Sequence, residues 1–281
     1  MTSCAPISVF VLTRNEETNL PQLLDTIAGW AEEIVLVDSF STDRTLEIGL
    51  AHDCRIIQNP FVNHAVQCNY ALDHGSFAHD WLLRLDADEI MPEALKAELA
   101  LIACTAPAEV TGVYLDRRIY YMNRWLRHGG LYPNRILRMF RHDAGRFELR
   151  TEEHFLLTRG HAMVAKNDFL ENNRNNTLKY WLGKHADLSD GEVADTMTLD
   201  RPNSEGIKPR LFGVKAERTR WLKTRIYRRA PLFARAFLYF IYRYIFRLGF
   251  LDGVPGLIFH VNQGFWYRFF VDARIYEQRS G

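Results

Sequence analysis

Four consecutive residues, Asp86-Ala87-Asp88-Glu89, put three carboxylates directly after the apolar run Trp81–Leu85. Hard carboxylate oxygens suit Mg²⁺ or Mn²⁺, ions that keep several waters and bridge substrate phosphates. An isolated Asp-x-Asp reads equally well as a helix cap before Pro92-Glu-Ala-Leu-Lys, with Glu89 in solvent. Its position tips the reading toward function, because open α/β sheets bind ligands beyond the carboxyl ends of their strands.

Two more polar segments follow apolar runs in the same way. Thr13-Arg14-Asn15-Glu16-Glu17 follows Ile7–Leu12, and the segment from Asp38 to Thr45 (DSFSTDRT) follows Ile34–Val37. Small hydroxyls and helix-opening amides can receive the polar groups of a nucleotide, and Asp38 can accept from a base or ribose donor. Ser41, Thr42 and Asp43 are also ordinary helix N-caps, so capping alone accounts for that segment as well.

In this order, the three segments resemble glycosyltransferase family 2, which has the GT-A fold. The resemblance covers roughly residues 7–160. Within the family the sequence looks most like lipopolysaccharide-core and capsule β-glycosyltransferases, through TRNEE, EIVLVDSFSTDRT, WLLRLDADE and, far downstream, RLGFLDGVPG. The resemblance implies transfer of a sugar from a nucleotide-diphosphate donor with inversion at the anomeric carbon. It further implies that Thr13, Glu16 and Asp38 hold the nucleoside, that Asp86 lies near ribose or metal, and that Asp88 ligates a divalent Mg²⁺ or Mn²⁺. Such transfer needs a base for the acceptor hydroxyl. The family places an acid where this chain reads Arg150-Thr151-Glu152-Glu153-His154-Phe155. Glu153 fits best and Glu152 is the runner-up, while His154 is a further candidate because related enzymes show His-Glu or Glu-Asp here.

Arg135, Arg138 and Arg141 recur every third residue and could face a diphosphate. On a strand, 135 and 138 would point to opposite faces, which favours solvated roles equally. Lys184-His185 could contact donor or acceptor, or simply be exposed on a helix.

The elements that must position these groups alternate along the first 105 residues. Short β-branched runs (7–12, 34–37, 55–58, 81–85) alternate with helical spacing at Leu20, Leu23, Leu24 and Ile27, near 45–52, around 65–72, and from Pro92 onward. This is the pattern of an α/β domain, a mostly parallel sheet flanked by helices. Strand candidates at 112–121 and 135–140, joined by a loop with Gly129-Gly130, continue the domain, and a helix is expected over 177–197. A breaker-rich stretch, RPNSEGIKP, ends it, dividing the chain into a catalytic domain over 1–209 and a basic, aromatic helical region over 210–281.

The net charge of +1 gives no reason to expect nucleic-acid binding. It hides an asymmetry: residues 210–247 carry eleven basic side chains and one acid, which leaves the rest of the chain acidic. In PLFARAFLYFIYRYIFRLGF, Arg235, Arg243 and Arg247 share a helical face beside aromatic residues, so the region is expected to lie on an anionic membrane surface with arginines toward lipid phosphates. The competing reading is a core helix with arginines at its rim. A lipid-linked saccharide acceptor accords with that tail and the resemblance together.

The four cysteines lack metal-finger spacing and read as free thiols in a reducing compartment. No basic n-region and apolar h-region open the chain, so the expected location is cytoplasmic, peripheral on the inner face of the cell membrane. Two rival functions remain open on sequence alone. A sugar-phosphate nucleotidyltransferase would want a glycine-rich loop after the first strand, and TRNEE has no glycine. A non-catalytic membrane-surface module is the other.

Overall fold

The computed structural model describes residues 5–149, 154–174, 177–198, 212, 218, 221–222 and 224–280. These group into two compact units, one of residues 1–125 and 131–175, the other of residues 126–130 and 176–281.

The first unit is built on a mixed sheet. Apolar runs form β1 (Ala5–Thr13), β2 (Ala31–Asp38), β3 (Arg55–Gln58) and β4 (Trp81–Asp86), interleaved with α1 (Leu20–Ile27), α2 (Thr45–Ala51) and α3 (His64–His74). Then come β5 (Glu89–Ile90), α4 (Glu93–Thr105), β6 (Val110–Tyr121), β7 (Arg124–Leu126), β8 (Arg135–Arg141), β9 (Gly145–Phe147), β10 (Phe155–Leu157) and β11 (His161–Glu171). The sheet order is β3-β2-β1-β4-β8-β6-β11-β5, with β7 on β6 and a separate β9–β10 hairpin. Strands β1 to β4 pair parallel, β8 runs antiparallel between β4 and β6, and β11 returns parallel to β6. This is the mostly parallel, helix-flanked sheet expected of a GT-A domain.

Both faces of the sheet are buried, which is why β1, β2 and β4 read as continuous rather than alternating apolar runs. One face packs Val9, Val11, Leu36 and Leu83 against Leu20, Leu24, Leu95 and Leu99. The other packs Phe10, Val35, Val37, Leu82 and Phe140 against Ala65, Cys68 and Leu72 of α3. Cys54 and Cys68 are buried free thiols and Cys104 an exposed one. Burial pushes the Cys54 thiol up to about 12, so it is inert at neutral pH.

The second unit is helical: α5 (Leu178–Thr198), α6 (Ala234–Ile241) running into a π-helical turn at Tyr242–Phe246, a 3₁₀ turn at Gly249–Asp252, α7 (Gly253–Phe259), a π segment at His260–Trp266, and α8 (Tyr267–Ser280). Helix α5, which the sequence reading assigned to the catalytic domain, packs on α8 and belongs to this unit. The 209/210 boundary itself lies outside the described residues. The loop residues 126–130 also belong here. Asp252 Oδ2 accepts from the His128 amide (2.9 Å), its Oδ1 lies 2.7 Å from His128 Nδ1, and Arg243 Nε donates to the Gly129 carbonyl (2.8 Å). Gly129 sits at φ +67°, where a Cβ would come within 2.1 Å of the His260 ring, so both its backbone conformation and its contact require glycine.

Two of the three arginines expected to face lipid are turned inward. Arg235 is buried and forms an ion pair with buried Asp272, its Nε donating at 2.8 Å, and Arg243 is buried on Gly129. Of the three, only Arg247 is exposed. The i+4 spacing was therefore that of an inward-facing polar stripe, two of whose cations find acceptors on other segments. Of the Lys184-His185 pair, Lys184 is exposed, while His185 stacks on Trp181 at 3.5 Å between ring centroids and burial takes its imidazole down to about 4.

Candidate active site

Parallel pairing brings the three polar segments to one end of the sheet. Thr13 pairs with Asp38 across β1 and β2, and Leu12 pairs with Asp86 across β1 and β4. The segments after β1 and β2 then interlock. The Asn15 amide donates to Ser41 Oγ (2.9 Å), Asn15 Oδ1 accepts from the Thr42 amide (2.8 Å), and the Glu16 amide donates to Thr45 Oγ1 (2.8 Å). Asn15 adopts φ +56°, a conformation that asparagine tolerates better than most residues.

Asp38 is fully buried. Its Oδ1 accepts from Thr13 Oγ1 (3.1 Å), and its Oδ2 accepts from the Ser41 amide (2.9 Å) and Gln58 Nε2 (3.1 Å). A carboxylate so engaged organises the two loops around it. Glu16 is half-buried and its Oε2 accepts from Asn19 Nδ2 (2.8 Å).

The Asp86-Ala-Asp-Glu segment is a buried charge cluster. Arg84 Nη1 donates to Asp86 Oδ2 (2.7 Å), and Arg138 Nη2 donates both to that oxygen (3.0 Å) and to Glu89 Oε1. Glu89 Oε2 accepts from the Asp86 amide (2.9 Å). Glu89 is therefore buried rather than solvated, a departure from the capping alternative. Burial, reinforced by the Asp86 carboxylate, pushes Glu89 well above the usual carboxylate range. Burial works against Asp86 as well, but Arg84, His64 and Arg117 together outweigh it and hold the Asp86 carboxyl below its ordinary value. The two carboxyls are thus shifted in opposite directions, Glu89 upward and Asp86 downward, and the Asp86 side chain is 31% exposed.

Arg138 reaches this cluster because of an irregularity in β8. Val113 pairs with Met139 while the next residue, Tyr114, pairs with Leu137, so Arg138 is the extra residue of a bulge. Bulges re-aim side chains, and this one turns a cation inward over the Phe169 ring, 5.4 Å from its centroid. Arg135 instead faces solvent beside Asp116, and Arg141 pairs with Asp80 and lies 4.5 Å from the Trp81 ring centroid. The three arginines do not converge on a diphosphate.

Asp88 is held from the far end of the sheet. Its carbonyl accepts from the Asn172 amide (2.9 Å) and its Oδ2 from Asn173 Nδ2 (3.0 Å). Asn19 Oδ1 accepts from the Arg174 amide (2.8 Å), so Glu16, Asn19, residues 173–174 and Asp88 form one hydrogen-bonded series. Sequence reasoning missed Asn19, Asn173 and Arg84 as parts of the site. The doubled asparagines after β11 were the available signal.

The donor set fits a hard divalent cation held mostly by substrate. Among the described residues no three His, Cys, Asp or Glu side chains converge as ligands. Asp86 and Asp88 nevertheless stand one residue apart, half-buried, at the mouth of the sheet. One or two carboxylates with phosphate and water completing the shell is the ordinary Mg²⁺ arrangement. Glu152 and Glu153 lie outside the described residues. His154 opens the β9–β10 hairpin, its carbonyl accepting from the Glu148 amide (2.8 Å).

A mostly parallel sheet whose strand ends carry interlocked polar loops and a carboxylate pair is an α/β domain built to take its ligand at the carboxyl ends of its strands. The profile of glycosyl transferase family 2 matches residues 8–184, and the chain belongs to that family. It is 31% identical over 154 residues to the lipopolysaccharide core biosynthesis glycosyltransferase LpsC of Rhizobium meliloti, covering 53% of this chain and 56% of that protein. It is 30% identical over 96 residues to an uncharacterized glycosyltransferase of Rickettsia typhi, covering 34% and 32%. The matches thus span a third to just over half of these relatives. Among solved structures, glucosyl-3-phosphoglycerate synthase from Mycobacterium tuberculosis, in complex with Mn²⁺, uridine diphosphate and glucosyl-3-phosphoglycerate, aligns with 71% of this chain and 82% of its own at 15% identity and TM-score 0.46. Staphylococcus aureus TarS aligns with 97% and 91% at 16% identity and TM-score 0.43.

Proposed function

We propose that this protein is an inverting glycosyltransferase that moves a sugar from a nucleotide-diphosphate sugar to a lipid-linked glycan acceptor during synthesis of a cell-surface polysaccharide, lipopolysaccharide or capsule. The observation that carries the reading is the shared sheet end at which Asp86 and Asp88 meet the interlocked Thr13–Glu17 and Asp38–Thr45 loops. The similarity to LpsC supports a lipopolysaccharide-type acceptor.

In this reading the Thr13–Glu16 turn, braced by Asp38, receives the nucleoside. Asp88 and Asp86 would hold a divalent Mg²⁺ or Mn²⁺, which would supply positive charge against the departing diphosphate. Arg84 and Arg138 keep Asp86 ionised for that task, while Asn173 fixes the rotamer of Asp88. Glu153, or Glu152 in its place, takes the acceptor proton, and attack from the opposite face inverts the anomeric carbon in one displacement. The protein works on the cytoplasmic side, peripheral on the inner face of the cell membrane.

The test is a thermal-shift screen of nucleotide sugars with and without Mn²⁺ or Mg²⁺, followed by detection of released nucleoside diphosphate with membrane extract as acceptor. A ligand that binds only the folded protein raises its melting temperature. Metal-dependent stabilisation together with acceptor-dependent release is expected. Release of pyrophosphate from a nucleoside triphosphate, or no response to any nucleotide sugar, would overturn the reading.

A further inference from the structure

The connection between the two central helical segments of the second unit is apolar where connections are ordinarily polar. Phe246, Leu248, Phe250, Leu251 and Val254 lie at this turn, with Phe246 73% and Val254 68% exposed. Exposed loop tips normally carry Gly, Asn, Asp and Ser, which satisfy water and the backbone. From Phe237 to Val261, eleven large apolar side chains are each at least 37% exposed.

Charge is nearly absent from this surface for a structural reason. Between Ala236 and Tyr267 the only Asp, Glu, Lys and Arg residues are Arg243, Arg247 and Asp252. Arg243 is turned inward onto the Gly129 carbonyl and Asp252 inward onto His128, which leaves Arg247 as the one exposed formal charge of that stretch. A long arginine beside an apolar layer can extend its guanidinium to the polar boundary. Further exposed cations, Arg218, Arg225 and Arg229, precede the apolar stretch.

Among the described residues no single helix is long and apolar enough to cross a membrane. The segments Ala234–Phe246 and Gly249–Ser280 pass that test only as a pair, bent by 69° at the exposed connection. A bent apolar pair with its tip outward and cations set before it matches a bilayer entered from one side: hydrocarbon against the tip, headgroup phosphates against the arginines.

We infer that the Phe246–Val254 turn of this unit inserts into the acyl layer of one bilayer leaflet, so that membrane attachment rests on apolar burial rather than on arginine–phosphate contacts. The inference rests on the membrane location within the proposed function and replaces its physical basis.

Flotation of the full chain with phosphatidylcholine vesicles, with and without anionic phosphatidylglycerol, tests it. The protein floats with both, and raising the salt releases only a minor fraction, because apolar burial is not screened. Phe246→Glu with Leu251→Glu lowers the vesicle-bound to free ratio at least tenfold while the melting temperature holds. A Phe246→Trp variant is quenched by lipids brominated on the acyl chain. The inference is overturned by wild type that stays in the aqueous phase, by binding confined to anionic vesicles and lost in salt, or by a double variant that floats like wild type. It is equally overturned if sedimentation shows the same two changes dissolving a dimer, which would make this face a contact between copies. Nucleoside-diphosphate release, read in the same samples, separates the two ideas. Release with failed flotation removes this inference alone, and flotation with no transfer to any acceptor removes the enzymatic reading alone.

Discussion

Arg138 Nη2 lies 3.0 Å from Asp86 Oδ2, a contact between residues 52 positions apart that exists because β8 carries a bulge. With Arg84 on the same oxygen, the Asp86 charge is balanced inside the domain. Removing one partner of a buried ionic group typically costs about 3–5 kcal/mol. Arg138→Met is therefore expected to lower unfolding free energy by about that amount in urea titrations. A change under about 0.5 kcal/mol, within the range of an ordinary surface substitution, would show that Arg84 alone holds Asp86.

Asp88→Asn keeps the shape of the side chain but removes a ligand charge, and a neutral carbonyl oxygen holds a hard cation more weakly than a carboxylate. The variant should melt within a few degrees of wild type and lose most transfer activity. Excess EDTA should abolish wild-type turnover, with recovery on adding Mn²⁺ or Mg²⁺. Undiminished turnover in either experiment removes the metal role from Asp88.

Glu153→Gln should leave the donor-induced thermal shift intact and cut turnover about 10²-fold or more, the scale of a positioned general base. The same experiment on Glu152→Gln and His154→Ala decides the register. Whichever substitution alone produces that split is at the base position.

Stability should fall on mild acidification. Burial takes both His185 and His260 down to about 4, below the ordinary 6.5. Between those values the unfolded chain binds protons that the folded protein does not, so the contribution of these groups is complete above pH 6.5 and is lost as pH falls toward 4. The slope is at most about 1.4 kcal/mol per pH unit for each histidine. Melting temperatures at pH 7 and pH 5 provide the check, with a smaller drop expected for His185→Gln. Equal values at the two pH values would contradict the burial of both rings.

The chain order of three polar segments, each after an apolar run, was legible without coordinates, and with it the sheet of β1 to β4 and the carboxylates at its mouth. Local periodicity encodes such elements because each must bury its own apolar face. Strand β11 escaped notice because HAMVAKNDFLE mixes Lys, Asn and Asp into a strand shielded only in part. Its consequences escaped with it, since Asn173 reaches Asp88 from 85 residues away.

Tertiary structure alone decided what the charges do. Three arginines at equal spacing on β8 look alike in sequence, yet a one-residue bulge sends Arg138 to Asp86 and leaves Arg135 in solvent. Arg235 and Arg243 carried the expectation of lipid contact until Asp272 and the Gly129 carbonyl appeared beside them. Sequence specifies which residues carry charge and which helical or strand face they share. Whether that face meets water, lipid or a buried partner depends on the distant segment packed against it, and a buried cation is stable only where that segment supplies an acceptor.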